Sequence, residues 1–62
     1  VHTKKTPKPS AIKKAREDAG LTQRQAAYLI GYSERTWQEW ESGRQKMRPA
    51  LFASFRSVVA GP

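Results

Sequence analysis

Four polar side chains fall at helical spacing in the middle of this 62-residue chain: Glu34, Arg35, Gln38 and Glu39. Each offers different hydrogen-bond chemistry. The planar fork of Arg35 matches the O6 and N7 acceptors of guanine, a pairing worth about 1–3 kcal/mol of discrimination between bases. Gln38 can read a base edge or stay in water. Carboxylates are repelled by phosphates, so Glu34 and Glu39 suit such a surface only if they accept from cytosine N4 or orient an arginine. Glu39 stands one helical turn after Arg35. It can hold the guanidinium rigid, meet a base directly, or form an ordinary surface ion pair worth about 0.5 kcal/mol.

The elements that must carry these residues lie in Thr22–Gly43, TQRQAAYLIGYSERTWQEWESG. Two short helical patterns are broken at Gly31, too close together to lie in line. The second must cross the first and turn one polar face outward. A protruding helix with mixed hydrogen-bonding groups suits the major groove of duplex DNA.

Charge points the same way. Twelve lysines and arginines stand against five acids, a formal charge of +7. Five lysines fall within residues 1–14, and Arg44, Lys46 and Arg48 cluster in the segment RQKMR. Such an imbalance draws a polyanion: nucleic acid, an acidic protein or an anionic membrane surface. The membrane is the poorest candidate, because no run approaches the roughly 20 apolar residues needed to span and no export signal is visible. A cytoplasmic, nucleoid-associated protein is expected.

An enzyme is not expected. His2 is alone in the N-terminal tail, no nucleophile–base pair stands at credible spacing, and one small domain cannot enclose a substrate. There is no cysteine, and one histidine with five acids makes no convincing metal site, so no cofactor is expected. A domain this small buries only about 60% of its unfolded surface and must be held by packed helices.

Period and punctuation predict an all-α fold, a small bundle of four helices at about 10–19, 22–30, 33–42 and 49–59, forming a domain over 10–60. Residues 1–9, VHTKKTPKP, are predicted to be a flexible arm, extended because each proline restricts the residue before it. Lys4, Lys5 and Lys8 make it either a solubilising tail or an arm that lies along DNA. Ser10 is the expected cap of the first helix, in which Ala11, Ile12, Ala15 and Ala19 recur at helical spacing; Ile12, Ala15 and Ala19 are expected to face the core, with Lys13, Lys14, Arg16 and Glu17 in water. Thr22 and Gln25 form a capping box for the second helix, and Leu21 can staple back onto it. Ala26, Ala27, Leu29 and Ile30 are its expected buried side, with Gly31 ending it. Tyr28 lies on its outer side as a phosphate donor, a subunit contact or simply an exposed ring. Tyr32 is expected to be half-buried over the turn.

Ser33 caps the third helix and Gly43 ends it. Trp37 and Trp40, three apart on one face, invite a ligand-binding role, but opposite a fully polar face such rings belong to a core. Ala26 on the second helix makes room for a large ring. Met47 can plug the core from the basic connector, and Pro49 opens the last helix. That helix carries the apolar stripe Leu51, Phe52, Phe55, Val58 and Val59, which it can bury within the monomer or share with a second copy.

The set Thr22, Gln23, Ala27, Gly31, Ser33, Thr36, Trp37, Trp40, Glu41 and Gly43, at these offsets, resembles the lambdoid repressor/Cro-like helix-turn-helix family over about residues 11–59. The resemblance implies that the third helix is the recognition helix, with Glu34, Arg35 and Glu39 meeting base edges and Thr36 and Gln38 beside them. It implies that Gln23 contacts a phosphate at the N-terminus of the second helix, with Thr22, Arg24 and Ser33 on the same backbone-facing surface. Arg44 and Lys46 look like backbone clamps, and the N-terminal arm resembles the basic arms some of these repressors wrap around DNA. Glu41 is given a cap or ion-pair role inside the protein.

Two departures stand out. Trp37 replaces a β-branched residue and Ala26 replaces a leucine, which together read as an exchange of volume. Many relatives dimerise through a fifth helix, which no pattern after Val59 predicts here; the expectation is either that the usual dimer is lost or that its surface moves to the fourth helix or Tyr28.

The expected function is that of a sequence-specific duplex-DNA-binding regulator, most like a small phage or plasmid repressor. It would act as a homodimer on a palindromic operator, because one subunit reads only about half a turn of groove. An antitoxin that binds a toxin partner and autoregulates through the same module is the alternative. An interaction module that has lost base reading, or a DNA-binding domain of a longer protein, are further readings.

Overall fold

The computed structural model describes residues 6–61, and within them the chain forms four helices and no strand. They are α1 (Pro9–Asp18), α2 (Gln23–Leu29), α3 (Glu34–Ser42) and α4 (Pro49–Ala60). The all-α fold expected from the sequence is the one observed.

Local chemistry sets most of the helix ends. Thr22 Oγ1 accepts from the Gln25 backbone N–H at 3.1 Å while the Thr22 N–H donates to Gln25 Oε1 at 2.9 Å, a complete capping box. Ser33 Oγ accepts from the Thr36 N–H at 3.2 Å and so caps α3. Gly31 ends α2 at φ +79° and lets the Tyr32 N–H reach back to the Ala27 carbonyl at 2.9 Å. That left-handed residue satisfies a carbonyl the helix leaves open and redirects the chain across α2 into α3.

The start of α1 differs from the sequence expectation. Ser10 does not cap it; the helix begins one residue earlier, with Pro9 in its first turn and Lys8 as an N-cap without a side-chain bond. The fixed φ of proline is already helical, and a proline there removes a donor that would have had no partner. The Lys8 carbonyl accepts the Ile12 N–H at 3.0 Å, so the end of the expected arm is drawn into the fold. Lys4 and Lys5 lie outside the described residues.

The core is an aromatic wedge between small residues. Ile12, Ala26, Ala27, Trp37, Trp40, Met47 and Phe55 are buried, with Ala15, Leu21, Ile30, Leu51, Phe52 and Val59 packed around them. The Trp37 ring sits 4.9 Å from Phe55 of α4 and 5.5 Å, edge-on, from Trp40. Such tilted and T-shaped pairs are the favoured geometries for aromatic rings. Ala26 and Ala27 are fully buried in the same core and keep α2 small there, which leaves volume for large rings.

Three positions depart from the expected pattern. Leu29 of α2 is 43% exposed and Val58 of α4 is 49% exposed, although both were expected on buried faces. The short α2 has only one contact face, and Ala26, Ala27 and Ile30 occupy it. On α4 the buried line runs through Phe55 with Leu51, Phe52 and Val59 beside it, and Val58 lies past its edge. Arg16, expected in water, is instead partly enclosed between α1 and α3.

Candidate nucleic-acid interface

The inner side of α3 is fixed by one carboxylate. Glu41 Oε2 accepts from Arg16 Nε at 2.6 Å and from the indole Nε1 of Trp37, while Oε1 accepts from Arg16 Nη2 at 3.2 Å and Gln23 Nε2 at 3.1 Å. The remaining Arg16 nitrogen, Nη1, donates to the Leu21 carbonyl at 2.9 Å. One acid therefore ties α1, the start of α2 and α3 together. The fork of the arginine matches the carboxylate bidentately, the strongest form of this contact.

Burial pushes the Glu41 carboxyl up, but hydrogen bonds from Arg16, Trp37 and Gln23 together outweigh it and hold the group below its ordinary range. The same hydrogen bond to Glu41 pulls the Arg16 guanidinium up against the effect of burial. Both partners stay charged.

The outer side of α3 faces solvent. Glu34, Arg35 and Gln38 are exposed, and Thr36 and Glu39 are half-buried. The Thr36 and Ser33 hydroxyls lie 3.0 Å apart, so the two residues form one unit at the start of the helix. Arg35 Nε lies 3.7 Å from Glu39 Oε2, and Glu39 Oε1 accepts from Gln45 Nε2 at 2.6 Å. Arg35, Gln38, Glu39, Ser42 and Arg44 line a single open depression along this face.

The cationic and capping candidates fall around it. Gln23 is half-buried, and one amide proton is committed to Glu41, while the second has no partner among the described residues. Thr22 uses its oxygen as a cap acceptor and keeps its hydroxyl proton. Arg24 is exposed and shares a second depression with Ser33, Glu34, Leu21, Tyr28 and Tyr32. Tyr28 is the most exposed large ring among the described residues, at 82%. Tyr32 lies with its ring 5.2 Å from Trp40. Lys8 and Lys46, 38 positions apart in sequence, meet at a third depression beside Pro9 and Gly43.

Two participants were not singled out from the sequence. Arg16 stands one turn after the buried Ile12, on the side of α1 that meets α3, and its partner is an acid 25 residues away. Gln45 comes into reach only because Gly43, at φ +86°, folds the chain back so that the Arg44 N–H bonds the Glu39 carbonyl at 3.0 Å. Among the described residues no cluster of three or more metal-ligating side chains occurs, and no helix is long and apolar enough to cross a membrane.

The chain is similar to the Type II methyltransferase M.MspI of Moraxella sp, with 46% identity over 46 residues. That match takes in 74% of this chain but 11% of the methyltransferase, so the chain spans about a tenth of its relative's length. Over residues 10–59 it matches the family described as Helix-turn-helix domain. That span includes α2, the turn at Gly31 and the outward α3, and with it the chain belongs to the helix-turn-helix domain family of DNA-binding modules.

Proposed function

We propose that this chain reads a short duplex sequence by setting α3 into the major groove, as a regulator of the lambdoid repressor/Cro-like kind. The observation that carries the proposal is the division of α3. Its tryptophans and Glu41 are locked inward, while Glu34, Arg35 and Gln38 are exposed on the opposite side. In this reading Arg35 engages a guanine, Glu39 steadies it, and Glu34, Thr36 and Gln38 meet neighbouring base edges or phosphates.

Backbone contacts set the register. Gln23, Thr22, Arg24 and Ser33 serve near the N-termini of α2 and α3, where free N–H groups favour an anion. Arg44, Lys46 and Lys8 clamp a phosphate strand beyond α3. Residues 10–60 act as the binding domain, and the basic segment before them acts as an arm along the duplex. Two copies on a palindrome, with half-sites about 34 Å apart, supply usable specificity. A repressor is the simplest regulator of this design, working in the cytoplasm at the nucleoid.

The likeness to a methyltransferase favours a second reading, in which this module brings a larger enzyme to DNA. Both readings require the same α3 contacts. Selection from a random duplex pool at about 0.15 M salt tests them together, because salt at that level suppresses sequence-blind binding. A recovered palindrome bound by two copies supports the dimeric regulator. An asymmetric site bound by one copy supports the appended module, and recovery of no preferred sequence overturns both.

A further inference from the structure

Gln45 is exposed, lies beyond the end of α3, and is bound to that helix through both its backbone and its side chain. Its N–H reaches the Glu39 carbonyl at 3.3 Å, and its amide nitrogen donates to Glu39 Oε1 at 2.6 Å. The opposite oxygen of that carboxylate is the one that faces Arg35 Nε at 3.7 Å. An exposed arginine paired with a freely rotating carboxylate is weakly ordered, because each side chain must lose rotamer freedom to hold the other. A carboxylate held by a second donor has already lost that freedom.

We propose that Gln45 is a positioning residue for base recognition: it fixes the Glu39 carboxylate, and through it the guanidinium of Arg35. The proposal rests on the reading of α3 as the recognition helix. The contact to Glu39 uses Nε of Arg35, and among the described residues neither Nη group donates a hydrogen bond. Those two groups remain for the two acceptors of a guanine edge. Gly43 is part of the arrangement, since its left-handed backbone returns Gln45 to the carboxylate. The loop after the recognition helix thus contributes to specificity without touching a base.

The test compares the parent 62-residue chain with Gln45→Ala, Arg35→Ala and the double variant, on the selected duplex and on a scrambled one. Gln45→Ala is expected to lower preference for the selected duplex about two- to fivefold, the range of an exposed ion pair. Binding to the scrambled duplex should stay unchanged, and the loss should vanish when Arg35 is already alanine. An equal loss on both duplexes, or a loss that persists without Arg35, overturns the proposal. Relaxation of the Arg35 Nε–Hε group by NMR in the free chain gives an answer independent of DNA. Greater mobility in Gln45→Ala supports the positioning role, and unchanged mobility overturns it. If the parent itself prefers no duplex, the reading of α3 fails while the NMR outcome still decides whether Gln45 orders Arg35.

Discussion

Two ion pairs end on α3, one on each side, and they differ in almost everything but their chemistry. Arg16 and Glu41 meet at 2.6 Å with side chains 13% and 8% exposed; Arg35 and Glu39 meet at 3.7 Å with side chains 85% and 23% exposed. The inner pair joins separate helices and is completed by Gln23, Trp37 and the Leu21 carbonyl. The outer pair joins neighbouring turns of one helix and leaves most of its arginine in water. Enclosure decides what an ion pair is for. The inner one fixes where α3 lies, and in the proposed function the outer one exchanges its water for a base.

The largest effect comes from removing what the inner side rests on. Trp37→Ala should cost about 3–5 kcal/mol in chemical denaturation, a large part of what a small domain possesses. DNA binding would then be lost through unfolding, whichever duplex is offered.

Breaking the inner pair comes next. Glu41→Gln should cost about 3 kcal/mol, because it strands the Arg16 charge in a partly enclosed site. Replacing both partners, as in Arg16→Met with Glu41→Leu, should cost less than either single change if the stranded charge is the cause. Acid denaturation sharpens the point. Since folding lowers the Glu41 pKa, its contribution is complete above about pH 4.3, the ordinary glutamate value, and fades as pH falls through the lower folded value. The parent should lose stability over that acidic window, and Glu41→Gln should lose less of it.

On the outer side the same kind of change should leave the fold alone. Arg35→Ala is expected to alter stability by less than about 0.5 kcal/mol. It should relax preference by about 1–3 kcal/mol at one symmetric pair of positions in the selected duplex. Equal binding of parent and Arg35→Ala to selected and scrambled duplexes would remove Arg35 from the proposed interface. The smallest expected change is at the clamps. Lys46→Ala should weaken binding to all duplexes alike and reduce the slope of log K against log salt by about 0.9.

What could be read from the sequence was local. The capping box at Thr22 and Gln25, the Ser33 cap and the stops at Gly31 and Gly43 depend on residues within one turn of each other, and cap chemistry acts over that range. The tryptophans three apart and the small Ala26 facing them follow from period and volume. Arg16 was not legible, since nothing near it in sequence calls for an acid 25 positions on. Apolar pattern alone places Leu29 and Val58 on buried faces, because it does not give the width of a contact face. The spacing of Arg35 and Glu39 allows their ion pair as one of several arrangements. The second donor on that carboxylate, Gln45, depends on how Gly43 bends the chain, which is set by three-dimensional closure.

Both indoles of this protein are enclosed, and none of the outer side chains on α3 is a tryptophan. Fluorescence excited at the red edge of absorption therefore reports melting of the interior and should stay nearly constant while a duplex docks on the other side. One molecule thus carries an optical signal that separates loss of shape from loss of recognition.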